Sequence, residues 1–284
     1  MIWPFKRKNV QRDDVPLSER PVSERPVPDM TSDAAPQDMA PKAEAPQEPE
    51  QKPAPAPTPL ASPAVRPDTS KLVIPHPVTF VASPYKTATT TVGKAVVALG
   101  VGKRDMLHRG PLLRDHLPAI KAANTLARQA RFAPVFMEHH TDEVREILAD
   151  LIKAVRKFDV FSDAPLGHAH VHPFVRKAIA PQSKFIWVHR PVEEWISSVR
   201  RWEEGHPETY ARHMFWTSDP ERRPRELRRM RKIHVQRFRA LARAYPDDCL
   251  EIKVSELEDF TKLAEFYGVE PPEAPLKRYN VNSG

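Results

Sequence analysis

The chain has 284 residues, with 44 Lys+Arg against 37 Asp+Glu, 32 Pro, 8 Gly and one Cys. A lone cysteine, Cys249, excludes an internal disulfide framework and a Cys-rich metal site, and no apolar run approaches the roughly 20 residues of a membrane-spanning helix. The net charge of +7 is unevenly placed: residues 1–70 carry 9 basic and 11 acidic side chains, residues 71–284 carry 35 and 26, so the C-terminal part is the one suited to an anionic ligand.

Residues 1–70 hold 15 of the prolines and no glycine, and repeat Ser18-Glu-Arg-Pro-Val22 as Ser23-Glu-Arg-Pro-Val27. Such a segment buries too little apolar surface to offset its chain entropy and is predicted to be a disordered, partly polyproline-like tail. Its start, Met1-Ile-Trp-Pro-Phe-Lys-Arg-Lys8, joins an apolar tip to basic residues. That leaves weak membrane contact open, but the segment lacks the apolar core of a signal peptide, so a cytoplasmic protein is expected. Residues 71–284 are long enough for one α/β domain with a real core.

Val78-Thr-Phe-Val-Ala82 reads as a buried strand, and Ser83-Pro-Tyr85 ends it. Lys86-Thr-Ala-Thr-Thr-Thr91 follows, and then Val92, Ala95, Val96 and Leu99 recur at helical spacing up to Gly100. The unit is strand, tight loop, helix, with a cation and hydroxyls where a helix N-terminus favours a phosphate-like anion. Gly100-Val-Gly-Lys103 superficially resembles part of a nucleotide-binding loop. It follows a helix, lacks the earlier Gly and has no Ser or Thr after Lys103, so it is rejected.

Residues 112–131 read as a helix, and Thr141-Asp-Glu-Val144 as the capped start of another reaching Val155. Phe158–Ser162 is a short strand ending in Asp163-Ala-Pro165, followed by Gly167-His168-Ala-His170-Val-His172 and a short helix from Phe174 to Ala180. Lys184–His189 is the next strand, and Arg190-Pro191 opens a helix carrying Trp195, Ser198, Val199 and Trp202. A very basic helix over 224–245, a strand over 249–254 and a short helix over 256–267 complete the alternation. Strands alternating with helices predict a mostly parallel sheet covered on both faces, a three-layer α/β/α domain.

Two of these stretches together resemble the signatures of sulfotransferases that use 3′-phosphoadenosine 5′-phosphosulfate. In that family a Lys-Ser/Thr-Gly-Thr-Thr loop after the first strand holds the 5′-phosphosulfate. A later strand ends in Arg, and a Ser eight residues on binds the 3′-phosphate, the spacing of Arg190 and Ser198 here. The resemblance spans roughly residues 76–284 and includes the Pro-rich close with Asn280 and Asn282. It implies the P-loop NTPase-like sulfotransferase fold, Lys86, Thr87, Ala88, Thr89, Thr90, Thr91, Arg190 and Ser198 as donor-binding residues, and no required metal. Asp163 stands where several members place a catalytic base, and Gly167-His168 resembles the Gly-His that supplies the base in a carbohydrate branch.

Three departures accompany the resemblance. Ala88 replaces the usual Gly, Tyr85 replaces a Pro, and no Arg-Lys-Gly segment is present, which leaves basic residues of 222–232 to take its place. The implied reaction is transfer of a sulfuryl group to an acceptor hydroxyl, with a carbohydrate the expected acceptor, Lys86 neutralising the breaking bridge and Asp163 or His168 taking the proton. The alternatives are a P-loop-type kinase, which the lack of Gly-x-x-x-x-Gly-Lys-Ser/Thr and of a clear magnesium ligand argues against, and a non-catalytic basic module on the same fold. Nucleic-acid binding is not expected, since the basic run 221–234 has neither interleaved aromatics nor a known motif.

Overall fold

The computed structural model describes residues 68–206, 219, 221–273 and 275–276. The Pro-rich segment 1–67, with its repeat and basic tip, and Asn280 and Asn282 lie outside the described residues.

The predicted apolar runs form β1 (Val78–Val81), β2 (Val160–Phe161), β3 (Ser183–His189) and β4 (Cys249–Lys253). They lie side by side in the order β2-β1-β3-β4, every neighbouring pair parallel. The register sets Phe80 beside Phe161 and Phe185, and Val81 beside Ile186. Because successive strand residues point to opposite faces, each run feeds two cores. Val78, Phe80, Phe161, Phe185 and Trp187 build one, and Val81, Val160, Ile186, Val188 and Ile252 the other. Burying one such aromatic or aliphatic side chain contributes about 1.5–3 kcal/mol.

Helices cover both faces. On the Phe80 side lie α2 (Gly110–Asp115), α3 (Leu117–Gln129), α4 (Ala133–Ile147), α5 (Ala149–Val155), α6 (Pro173–Ile179) and the long α8 (Arg223–Ala244). On the Val81 side lie α1 (Thr89–Ala98) and α9 (Thr261–Tyr267). Helix α7 (Val192–Gly205) packs Trp195, Ile196 and Val199 against Leu227 of α8 in a smaller cluster of its own. The result is the three-layer arrangement that a parallel sheet buried on both faces requires. Among the described residues no helix is long and apolar enough to cross a membrane.

Three helix assignments differ from the sequence expectation. The single helix over 112–131 is two: His116 leaves helical geometry (φ −101°, ψ 6°), and α3 starts with Pro118 in its first turn. Pro118 has no N–H to continue the ladder and restricts Leu117 before it. Thr141 does not open a helix. It lies inside α4, where its hydroxyl donates to the Met137 carbonyl at 2.5 Å, the back-bond a mid-helix Thr can make instead of a cap. The true start signal is Pro134, in the first turn of α4. The predicted helix over 256–267 resolves into a 3₁₀ turn, Val254–Glu256, and α9.

One glycine sets how closely α1 approaches the sheet. A Cβ on Gly93 would come within 2.5 Å of Ser162 Cβ and 2.6 Å of Asp105 Oδ2. Any side chain there would push α1 away from the end of β2, and with it the loop that precedes α1.

Candidate active site

Between β1 and α1 the backbone turns twice into the left-handed region, at Lys86 (φ 64°) and Ala88 (φ 67°). Ala88 is the residue from which α1 starts. That helix begins with no side-chain cap and no acidic residue in its first turn, so the positive end of its dipole is not offset from within the helix. Thr87 is buried and committed to the turn: its hydroxyl lies 2.6 Å from the Pro84 carbonyl and 2.9 Å from Ser83 Oγ. Thr89 is also buried, with Oγ1 3.1 Å from His168 Nε2, whereas Thr90 is half-buried.

Helix α7 holds this loop in place. Trp195 donates from Nε1 to the Tyr85 carbonyl at 2.8 Å, and Arg190, just before α7, donates from Nη1 to the Lys86 carbonyl at 3.0 Å. The Tyr85 hydroxyl donates to Glu203 at 2.9 Å, and Glu203 is paired in turn with Arg223 of α8. Tyr85, the unexpected residue of the loop, is therefore its anchor. Its ring meets Trp202 edge-on at 5.6 Å, and Trp202 lies 5.8 Å from Lys86 Nζ.

Lys86 and Arg190 are two cations side by side. Burial, and after it the charge of Arg190, lowers the Lys86 pKa. Among the described residues Arg190 Nε is buried without a hydrogen-bond acceptor, and Glu194 Oε2 lies 3.7 Å away. Arg231 of α8 donates to the Arg190 carbonyl at 2.8 Å, which brings one residue of the basic run 222–232 to this corner. Ser198 is buried within α7, beside Trp195 and Val199.

The second half of the site is the loop after β2. Gly167 N–H closes a turn onto the Asp163 carbonyl at 2.8 Å, and a Cβ on Gly167 would lie 2.4 Å from Asp163 N. Only a residue without a side chain permits this turn, which sets His168 next to Asp163. Asp163 Oδ1 accepts from Ala164 N–H at 2.7 Å and lies 3.3 Å from His108 Nδ1 and 3.5 Å from His168 Nδ1. Burial works to raise the Asp163 pKa, but the two histidines and the Ala164 N–H outweigh it and hold the carboxyl below its ordinary value.

The two histidines on that carboxylate differ. His168 is buried, its N–H bonded to the Val81 carbonyl at 2.9 Å. Desolvation, opposed by Asp163, pushes its pKa down to about 4, so it is neutral at pH 7. The His108 side chain is 55% exposed, and its hydrogen bond to Asp163 raises its pKa. Thr89, His168, Asp163 and His108 thus form a chain of contacts from the start of α1 to an accessible imidazole.

Buried Arg176 of α6 shapes the loop around His168. It donates to the carbonyls of Leu166 (3.1 Å), His168 (2.9 Å) and Val171 (2.7 Å) and has no acidic partner among them. Asn124 of α3 donates to the His170 carbonyl and accepts from His172 N–H, at 2.8 and 2.7 Å. The His168 and His170 rings lie 6.2 Å apart, and no group of three or more metal-ligating side chains gathers among the described residues.

The geometry joins most of the residues that the sequence singled out: Lys86, Ala88, Thr89 and Arg190 in one corner, Asp163 and His168 in the next. A sulfotransferase domain family model matches residues 79–240, from β1 into α8. The chain belongs to the sulfotransferase domain family. No curated protein matches it. Within this sulfotransferase domain the match contains the loop, the Asp163 turn, α7 and most of α8, while β4 and α9 lie beyond it.

Three residues of the candidate site belong to no motif in the sequence. His108 lies in Met106-Leu-His-Arg-Gly110 and meets Asp163 because this segment runs beside β2 and the loop after it, with Met106 N–H on the Val160 carbonyl and Arg109 N–H on the Ala164 carbonyl at 2.8 and 3.1 Å. Tyr85 reads as a turn residue, and Arg231 as one of many arginines on a solvated helix. Helical spacing from Leu227 marks Arg231 as close to the buried face of α8, the one hint available.

Proposed function

We propose that this chain transfers a sulfuryl group from 3′-phosphoadenosine 5′-phosphosulfate to an acceptor hydroxyl, with a carbohydrate the first acceptor class to test. The observation that carries the reading is the corner where Arg190 bonds the Lys86 carbonyl while its own Nε is buried without an acceptor. Two cations and an uncapped helix start fit a ligand with phosphates at two separate points. Lys86 and the first turn of α1 suit the 5′ end. Arg190, with Ser198 and Arg231 behind it, suits the 3′ end. The P-loop-like character of the domain belongs to the same reading.

When bound, the donor supplies a sulfonate group attached through an oxygen bridge to phosphate. During transfer a bond forms from the acceptor oxygen to sulfur, the bond from sulfur to the bridge breaks, and the electron pair leaves on the phosphate oxygen. Lys86 neutralises the charge that collects there. The acceptor proton must go to a base. His168 is buried, neutral and turned to Thr89, which suits a positioning residue. Asp163 is half of a pair whose accessible member is His108. With Nδ1 engaged by Asp163, His108 keeps Nε2 for the acceptor hydroxyl, so the Asp163–His108 pair serves as the base.

The test is titration of the purified protein with adenosine 3′,5′-bisphosphate, with and without magnesium, and with ATP plus magnesium. Metal-independent binding of the first, weakened in Arg190→Ala, is expected; a preference for ATP-magnesium would overturn the reading in favour of a kinase. Transfer of labelled sulfate to a panel of sugars, abolished in Lys86→Ala with nucleotide binding largely retained, separates an enzyme from a binding module.

A further inference from the structure

A cavity of about 410 Å³ lies between the end of α3, the start of α6 and the middle of α8. It shares no residue with the Lys86 loop, the Asp163 turn or α7. Three arginines, Arg128, Arg131 and Arg237, line it together with His172, Gln236 and Phe174, and none of its lining residues is acidic. Among the described residues the arginine ion pairs involve other arginines. Arg237 is held below its ordinary pKa by burial and then by the charge of Arg128. Like charges lie close together here without a counter-charge among the described residues, an arrangement that costs folding energy and that an external anion would relieve.

His172 adds direction. It is 6% exposed, and its Nδ1 accepts from Phe174 N–H at 3.2 Å, so in the neutral ring the proton sits on Nε2, a donor. Burial first, then Arg237, Arg176, His234 and Arg128, keeps that ring neutral. A neutral donor, an amide and an aromatic wall beside three forked cations make a site for an organic oxyanion more than for a bare ion. Guanidinium forks match the paired oxygens of phosphate and sulfate groups, and the volume is at the small end of ligand pockets.

We propose that this cavity is a second anion site, for a small phosphate- or sulfate-bearing molecule, separate from the donor corner. The same loop links the two places: His168 and His172 are four residues apart, fixed between them by Asn124 and Arg176. The inference does not rest on the sulfotransferase reading, because none of the residues that carry that reading lines the cavity.

The experiment is isothermal titration of the full chain with pyrophosphate while adenosine 3′,5′-bisphosphate saturates the donor corner, repeated in Lys86→Ala under the same saturation. One pyrophosphate site is expected in both cases, weakened at least tenfold in Arg237→Gln and in Arg131→Gln. Arg131 is exposed at the end of α3, so its variant reports on binding even if Arg237→Gln is poorly folded. The proposal is overturned if pyrophosphate does not bind, if binding is lost in Lys86→Ala, or if Arg131→Gln leaves it unchanged. Titration with glucose 6-phosphate and glucose 6-sulfate then separates the two ester classes. Affinity above that of pyrophosphate for either one supports an organic ligand, and failure of both to bind overturns it in favour of an adventitious ion only.

Discussion

Arg190 Nη1 lies 3.0 Å from the carbonyl oxygen of Lys86, a residue 104 positions earlier in the chain. This bond makes one corner of two signatures. It also ties the orientation of the cation to the shape of the loop, since Lys86 presents its carbonyl to Arg190 with its own backbone in the left-handed region. Arg190→Ala should therefore weaken adenosine 3′,5′-bisphosphate binding by roughly 10- to 150-fold, the range of a hydrogen bond to a charged group. Arg190→Lys should recover only part, because a lysine keeps the charge but not the fork. Isothermal titration of both variants checks this; equal affinity of the alanine variant and the parent would remove Arg190 from the site.

Ala88 occupies the left-handed region at φ 67°, where an L-residue with a Cβ is disfavoured by about 1–2 kcal/mol. Glycine removes that strain and returns about 0.4–1 kcal/mol to the unfolded chain as entropy. Ala88→Gly should thus stabilise the domain by about 0.5–1 kcal/mol while preserving nucleotide binding, and Ala88→Val should destabilise it. Urea unfolding midpoints at constant slope decide the matter. A less stable glycine variant would mean that Ala88 makes contacts worth more than its strain.

The pairing of His108 with Asp163 gives a pH dependence with a definite sign. The carboxylate raises the His108 pKa above 6.5, and the base must be neutral to accept a proton. The acidic limb of kcat/KM should then lie above pH 6.5, with activity rising as pH increases through it. Asp163→Asn removes the raising charge and should move the limb to lower pH while lowering kcat. His108→Ala should lose about 10²–10⁴ in kcat with little change in nucleotide affinity. A limb that stays in place in Asp163→Asn would separate the two residues and return the role of base to His168.

Stability should depend on pH through His168. Its folded pKa, about 4, is depressed by burial from an unfolded value near 6.5. Its contribution is therefore complete above pH 6.5 and is lost as pH falls toward 4, because the unfolded state binds the proton first. His172, also buried and lowered, acts with the same sign. Each such histidine steepens the fall by up to about 1.4 kcal/mol per pH unit. Unfolding curves at pH 7.5, 6 and 5 should show the parent losing stability faster than His168→Asn; parallel losses would place a proton acceptor elsewhere. The raised pKa of His108 acts above pH 6.5, with stability lost as pH rises through it, so the two windows do not overlap.

The sequence by itself determined the strands, most of the helices and the Lys86 turn between β1 and α1. These are local matters: a parallel strand buried on both faces must be a continuous apolar run, and a strand-to-helix turn shows its cation and hydroxyls within a few residues. It also placed Arg190 and Ser198, because both sit at a fixed distance from a legible strand end. Where the sequence misread a boundary, at His116 and Thr141, a proline one or two residues into the next helix outweighed the periodicity.

Only the tertiary structure decided which polar residues meet. The parallel order β2-β1-β3-β4 sets the ends of β1, β2 and β3 together. That order brings Asp163 and His168 to Thr89, and the pairing of the Asp105–Arg109 segment with β2 and its following loop brings His108 to Asp163, from segments that share no spacing rule. Helix packing likewise gathers Arg128 of α3, Arg131 of the link after it and Arg237 of α8 around one cavity. Hydrogen bonds and charge act over a few ångströms of space irrespective of separation along the chain, so the Asp163–His108 pair and the arginine-lined cavity were not legible until folding had closed those distances.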